Sequence, residues 1–538
     1  MFGIGEKLKA FVERHLWGEN LLNASKEDKA VQILQREPTP DELVLGWEEG
    51  EDEESGQPFR QLKGVPQEYR STHFYIVGAS GSGKTKFMEN LALQDAKNGN
   101  GFGVVDAHSD LTEDLKSYLL FQHSDDLDFL KENVVLIDPS DPDYTVCFNP
   151  LERVDGMDTD MVAGELLEVF KKIFGDAWGN RLADLLMNTL IALIECELTL
   201  AELPPFLTDF KFRKMILEKV ESQSCRDYFD NFNSHPISKQ REWAESSLNK
   251  VHQFLNNGKV RQMFVSPKST FSFREIMDNK KILLVKLDRG RLKGSADLLG
   301  SLLLAKIQMT AFARTDTIEA ERLPFYLYVD EFQNFATENF IQTLAESRKY
   351  KLPLILAHQN LAQLPPALRA SILTNCTLQA YFRISRADAD ILAKESLASI
   401  YNDPPGWEWY IQQLQELRPT WCVMKNKIDG DVMKIQTLEL PPAHEIIDDD
   451  AKVYAKAVSQ AKIGEKYLRP RKEVEEAYQK RREELFKRMD AESFRERKTG
   501  KDVNYEEIIK GGENDGVEFK ESLRWGYENG EVSKPLEH

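Results

Sequence analysis

The sequence predicts an α/β protein whose core is a doubly wound, mainly parallel sheet carrying a phosphate loop, with an all-α segment inserted and a charged helical tail. Three observations carry this. Residues 78–85 read G-A-S-G-S-G-K-T, directly after the apolar run Phe74-Tyr75-Ile76-Val77. Further fully apolar runs recur at helix-length spacings, as buried parallel strands do. Between two of those runs, residues 158–265 change to helical periodicity almost without strand signals.

In chain order, residues 1–71 form an N-terminal segment, and its acidic run at 48–54 reads as a solvated loop. The core opens at Thr72. Its phosphate loop needs a tight curl that brings backbone N–H groups to an anion, which Gly78, Gly81 and Gly83 permit. Ala79, Ser80 and Ser82 complete that cradle. A helix from about Lys84 to Leu93 adds its positive end. The runs Gly103-Val104-Val105-Asp106 and Val134-Val135-Leu136-Ile137-Asp138 are the next strands. In the helical segment, Met161, Leu166, Leu167, Val169, Phe170 and Ile173 share one face, and Leu182, Leu185, Leu186, Leu190 and Leu193 another. Strands return at 281–285, 325–329, 354–357 and 377–382. This divides the chain into a discontinuous core, 72–157 and 266–442, around a helical insertion, 158–265. From 443 to 511 mixed charge predicts a solvated surface helix or coiled-coil arm.

The chain has 538 residues, 41% hydrophobic and 30% charged, ample for sizeable cores. Its five cysteines form no C-x-x-C pair, which argues against a disulfide framework and a zinc site and predicts reduced, mostly buried thiols. No run of eighteen apolar residues and no signal-peptide core are present, so a soluble cytoplasmic protein is expected. A net charge of −19 argues against a general nucleic-acid binder, though not against a ring with a locally cationic pore.

The candidate chemistry is nucleotide hydrolysis. Lys84 is placed to reach the β- and γ-phosphates, and the Thr85 hydroxyl to ligate Mg²⁺. The run Tyr326-Leu327-Tyr328-Val329 ends in Asp330, a second metal-side carboxylate, and Glu331, a base for the attacking water. Gln359, at the end of the next strand, is a candidate γ-phosphate sensor. Arg348 is a candidate arginine finger reaching a neighbouring subunit, and Arg383 competes with it. The stretch Lys286-Leu287-Asp288-Arg289-Gly290-Arg291-Leu292-Lys293-Gly294 is either a solvated loop or an element that grips a phosphate backbone. Trp407 and Trp409 read as packing residues.

Together these motifs resemble the HerA/FtsK superfamily of ring ATPases, and within it the type IV secretion (conjugative) DNA coupling proteins of the TraG/TraD type. The matching stretches are 73–85, 103–111 (G-V-V-D-A-H-S-D-L), 148–151 (F-N-P-L), 325–335 (F-Y-L-Y-V-D-E-F-Q-N-F) and 345–359, then Asn375, Phe382-Arg383 and Asp388-Ala389. The resemblance spans about 72–440. It implies a RecA-like motor domain with an inserted all-α domain, ATP and Mg²⁺ as cofactors, a hexamer, and DNA in the central channel. It assigns Lys84 and Thr85 to phosphate and Mg²⁺, Asp330 and Glu331 to metal-side acid and base, Gln359 to sensing, and Arg348 to the trans-acting arginine. Two departures stand out. Membrane-anchored members begin with transmembrane helices, not found here, which leaves a soluble HerA-like translocase open. The usual D-P-H-G-D-L reads D-A-H-S-D-L. A second resemblance, G-V-E-F-K-E-S-L-R-W at 516–525, is to the opening of a Schlafen-type AlbA-like domain, placed at 512–538; it would make the chain a truncated product or half of a split gene.

The expected function is therefore an Mg²⁺-dependent ATPase that translocates DNA, in DNA transfer or processing, with a relaxase, secretion channel or nuclease as possible partner. The alternatives are a secretion ATPase acting on protein subunits and a nucleotide-regulated binding scaffold.

Overall fold

The computed structural model describes residues 32–34, 42–51, 58–123, 126–175, 178–397, 404–438, 461–499, 527–528 and 531–532. The chain divides into two compact units, 1–481 and 482–538. In the second, the described residues are the end of a helix and a short antiparallel pair, Tyr527–Glu528 with Glu531–Val532. The stretch 516–525, where the AlbA-like resemblance falls, lies outside the described residues.

The first unit is organised by a twelve-stranded sheet. In chain order its strands begin with β1 (Gln32–Leu34), β2 (Glu42–Glu51), β3 (Pro58–Pro66), β4 (Phe74–Val77), β5 (Gly101–Asp106) and β6 (Val134–Ile137). A two-residue strand outside the sheet, β7 (Tyr144–Thr145), follows. Then come β8 (Ile282–Lys286), β9 (Phe325–Asp330), β10 (Leu354–His358), β11 (Leu378–Tyr381), β12 (Trp421–Asn426) and β13 (Val432–Gln436). The spatial order is β1-β3-β2-β13-β12-β11-β4-β10-β9-β5-β8-β6. From β11 to β6 every neighbouring pair is parallel. These strands are buried on both faces, as in β4, β5, β9 and β10, where every residue is buried. That is why they read as unbroken apolar runs rather than alternating ones. Helices α1 (Lys84–Lys97) and α2 (Asp110–Gln122) follow β4 and β5.

Between β7 and β8 the described residues hold no strand. They include α3 (Thr159–Phe174) and α4 (Asn180–Glu195), which pack together through their apolar faces. Later comes α5 (Gly294–Phe312), buried among β-sheet and helices. By length and composition the stretch Gly294–Asp316 could cross a membrane, but its most apolar window is 89% buried in the protein core. A helix apolar all round is what a core position demands.

Two expectations are corrected. The acidic run is not simply a loop: β2 runs through Glu48 and Glu49, antiparallel to β3, and joins the main sheet through β13. Cations opposite make this tolerable, with Lys63 at 3.6 Å from Glu48 and Arg60 at 3.6 Å from Glu49. The charged tail is not merely solvated. β14 (Arg469–Pro470) pairs with β7, and the first turns of α6 (Arg471–Thr499) bury Val474 and Tyr478 beside Cys147 and Val265. Arg471 donates to the carbonyls of Pro139, Asp141 and Lys259, and Arg481 pairs with Glu202 at 2.8 Å.

Candidate nucleotide site

The C-terminal ends of β4, β10, β9 and β5 lie side by side in that order, the usual ligand position in an open α/β sheet. The loop after β4 is fastened on two sides. The Ala79 N–H donates to the Arg383 carbonyl at 2.7 Å, and the Thr420 N–H donates to the Ser82 carbonyl at 2.9 Å. Two glycines are required by that confinement. A Cβ on Gly78 would lie 2.4 Å from the Phe382 Cβ. One on Gly83 would lie 3.1 Å from the Thr420 backbone, and Gly83 has φ +108°. Gly83 is also the N-cap of α1, without a side-chain cap and with no acid in the first turn. The N–H groups of Lys84 and Thr85 therefore face the loop without intrahelical acceptors, a ready anion site. Ser80 and Gly81 are exposed on its rim.

Lys84 is buried and its amine donates to the carbonyls of Gly78 at 2.6 Å and Ala79 at 3.2 Å. Burial lowers its pKa, opposed by the nearby carboxylates of Glu331 and Asp330. Asp330, the last residue of β9, is pushed up to about 7 by burial first, then by Asp106 and Glu331, with Lys84 pulling the other way. Glu331 follows in a left-handed conformation, φ 50°. Its Oε1 accepts from Gln359 Nε2 at 2.8 Å and its Oε2 from Gln333 Nε2 at 2.7 Å.

Lys84, Asp330, Glu331 and Gln359 therefore converge, with half-buried Thr85 at the start of α1. Among the described residues no cluster of three or more His, Cys, Asp or Glu forms a metal cage. The buried carboxyls of Asp106, Asp330 and Glu331 nonetheless outnumber the single amine of Lys84, an excess of negative charge that suits a divalent cation. Mg²⁺ bound with a nucleotide takes few protein ligands and completes its shell with phosphate oxygens and water.

Arg348 is elsewhere in its own chain. It lies in the turn Ser347–Tyr350, exposed, at the N-terminal ends of β9 and β10, the sheet edge opposite the loop. Its guanidinium has no ion pair among the described residues. Arg383 is exposed and adjacent to the loop through its own carbonyl. The cationic stretch after β8 is largely neutralised from within. Lys286 bonds Glu113 at 2.8 Å and Asp138 at 3.1 Å, Arg289 forks onto Asp297, and Arg291 meets Asp288 at 3.2 Å.

Two residues were missed from the sequence. Asp106 ends β5 one step beyond the Val105–Val329 register pair, next to Asp330. Its carboxylate accepts the N–H groups of His108, Ser109 and Thr112, shaping the turn that faces the loop. An acid closing an apolar strand, as at Asp330, was a usable signal. Gln333 had none, since its contact is visible only in the folded turn.

Residues 61–388 match the family model described as the type IV secretion-system coupling protein DNA-binding domain. No curated protein matches the sequence. Among solved structures, the chain is similar to the bacterial conjugative coupling protein TrwBdeltaN70 in its unbound monoclinic form. The identity is 16%, coverage is 71% of this chain and 89% of that one, and the TM-score is 0.49. TrwB in complex with ADP and Mg²⁺ gives 14% identity, 71% and 90% coverage and a TM-score of 0.47. VirB4 of Thermoanaerobacter pseudethanolicus gives 13%, 76% and 99%, and 0.44.

Proposed function

This chain belongs to the family of type IV secretion-system coupling proteins, and we propose that it is an ATP-hydrolysing motor that moves DNA. The observation that carries the reading is the meeting of Lys84, Asp330, Glu331 and Gln359 at the C-terminal ends of adjacent strands, against a loop held open for an anion. The backbone N–H groups of residues 81–85 and the Lys84 amine bind the phosphates. Glu331 takes a proton from the attacking water, and the Gln359 amide orients that carboxylate and the γ-phosphate. Mg²⁺, held by Thr85 and Asp330, would supply charge neutralisation at the phosphates.

We further propose a homo-oligomeric ring, a hexamer, in which Arg348 completes the neighbour's site. Its exposure and its distance along β10 from its own loop support a role in trans. The motor is 72–157 with 266–442, the inserted helices are 158–265, and DNA passes through the ring channel. Five free cysteines support work in a reducing compartment such as the cytoplasm. The test is ATP turnover with and without DNA, beside a Glu331→Gln variant. DNA-stimulated turnover that falls by at least a hundredfold in Glu331→Gln, with nucleotide still bound, is expected. Turnover indifferent to single- and double-stranded DNA at all protein concentrations would refute the motor.

A further inference from the structure

Lys172 lies in the last turn of α3, and its amine donates to the backbone carbonyl of Gln333 at 3.2 Å. Gln333 belongs to the turn Phe332–Asn334 directly after Glu331. Its amide donates to one oxygen of that carboxylate while Gln359 donates to the other. Both oxygens of Glu331 are thus held by amide groups: one from the residue directly after the neighbouring strand β10, one from a turn gripped by the inserted helices. The grip has further points, from Lys171 to Glu338 at 2.7 Å and from Asn339 to Glu165 at 3.1 Å.

This arrangement carries a cost. Gln333 Oε1 is buried and accepts nothing among the described residues, which is unfavourable for a buried acceptor. The opposite amide orientation would turn that oxygen against a carboxylate, so the side chain is committed to donating to Glu331. Glu331 itself sits at positive φ, uncommon for a side chain of its size. An orphaned polar group and a strained backbone side by side mark a geometry imposed by the surroundings. Lys172 is where those surroundings meet. Burial lowers its amine to about 7, with Asp297 of α5 opposing and Arg289 of the cationic turn adding to the shift.

We infer that Gln333 is a positioning residue for Glu331, and that Lys172 sets the place of Gln333, so that movement of the inserted helices is felt at the water-activating carboxylate. This rests on the proposed role of Glu331 as base.

The experiment is steady-state ATP turnover of the full chain with DNA, for Gln333→Ala, Lys172→Met, the double variant, Lys172→Arg and Glu331→Gln. Binding of a fluorescent non-hydrolysable ATP analogue is measured alongside. Gln333→Ala is expected to lower kcat about tenfold, with KM and analogue affinity held within about twofold. Lys172→Met should lower kcat about threefold alone and have no further effect in the Gln333→Ala background, while Lys172→Arg restores it. Unchanged or raised kcat in Gln333→Ala overturns the positioning role, and multiplying effects in the double variant overturn the link through Lys172. Full turnover in Glu331→Gln would instead remove the role of Glu331 itself, a distinguishable result.

Discussion

Replacing Asp330 with Asn is expected to stabilise the protein in the absence of metal and nucleotide, by an amount that grows with pH. Asp330 is 4% exposed, and burial with Asp106 and Glu331 beside it raises its carboxyl from 3.8 to about 7. A carboxyl with a higher pKa in the folded than in the unfolded chain binds its proton more tightly when folded. Its contribution to stability is therefore fully present below about pH 4 and is lost as the pH rises through about 7. Roughly three pH units at about 1.4 kcal/mol each set that loss at about 4 kcal/mol, of which about 3 falls between pH 5 and 8. Asparagine keeps the shape and an oxygen for the Glu331 N–H, 3.1 Å away, while carrying no charge. Urea unfolding in chelator, followed by tryptophan fluorescence from pH 5 to 8.5, should show Asp330→Asn gaining on the wild type up to about pH 7 and levelling off above it. A gap independent of pH, or a less stable variant at pH 8, would refute the reasoning. The same penalty is a reason for the site to take up a cation, so Mg²⁺ with nucleotide should narrow the gap.

Arg70→Met removes a guanidinium, 1% exposed, that forks onto Asp95, bonds the Tyr328 hydroxyl at 3.2 Å and stacks on Tyr326 at 3.6 Å. Leaving Asp95 buried without its cation should cost about 3–5 kcal/mol in thermal unfolding, with nucleotide affinity of the folded protein unchanged at low temperature. Mixing Arg348→Ala subunits with Lys84→Ala subunits should restore part of the ATP turnover that each lacks alone, because some interfaces then pair an intact loop with an intact arginine. No recovery on mixing, with rings verified by light scattering, would place Arg348 outside the neighbour's site.

The strands nearest the nucleotide loop were legible because they are covered on both faces: Phe74 to Val77 and Phe325 to Asp330 admit no polar residue until the strand ends. The outer antiparallel strands were not. β13 alternates buried Met433 and Ile435 with exposed Lys434, and β2 hides its strand nature behind glutamates that are paired across the hairpin. Lys84, Asp330, Glu331 and Gln359 were readable because each sits at a strand end or in a tight motif. Lys172 and the carboxylates of Glu113 and Asp138 that neutralise Lys286 act through contacts between distant parts of the chain, and Gln333 acts through the fold of a single turn; no hydrophobic period records either.

The returning segment before α6 has a consequence for how the molecule is made. β6 is the last strand of the sheet, and Gly464 backs directly onto it: its N–H donates to the Leu130 carbonyl at 3.0 Å, and a Cβ there would touch the Val134 carbonyl. Nearby, the Tyr467 hydroxyl donates to the Glu132 carbonyl across 335 residues of sequence. At roughly 5–20 residues per second on the ribosome, β6 waits on the order of half a minute for its cover. Throughout that time the nascent chain presents a bare apolar strand edge, the kind of surface that pairs with other chains. Newly made chain is therefore expected to aggregate until residues 464–467 emerge and close that edge, unless a holdase covers it.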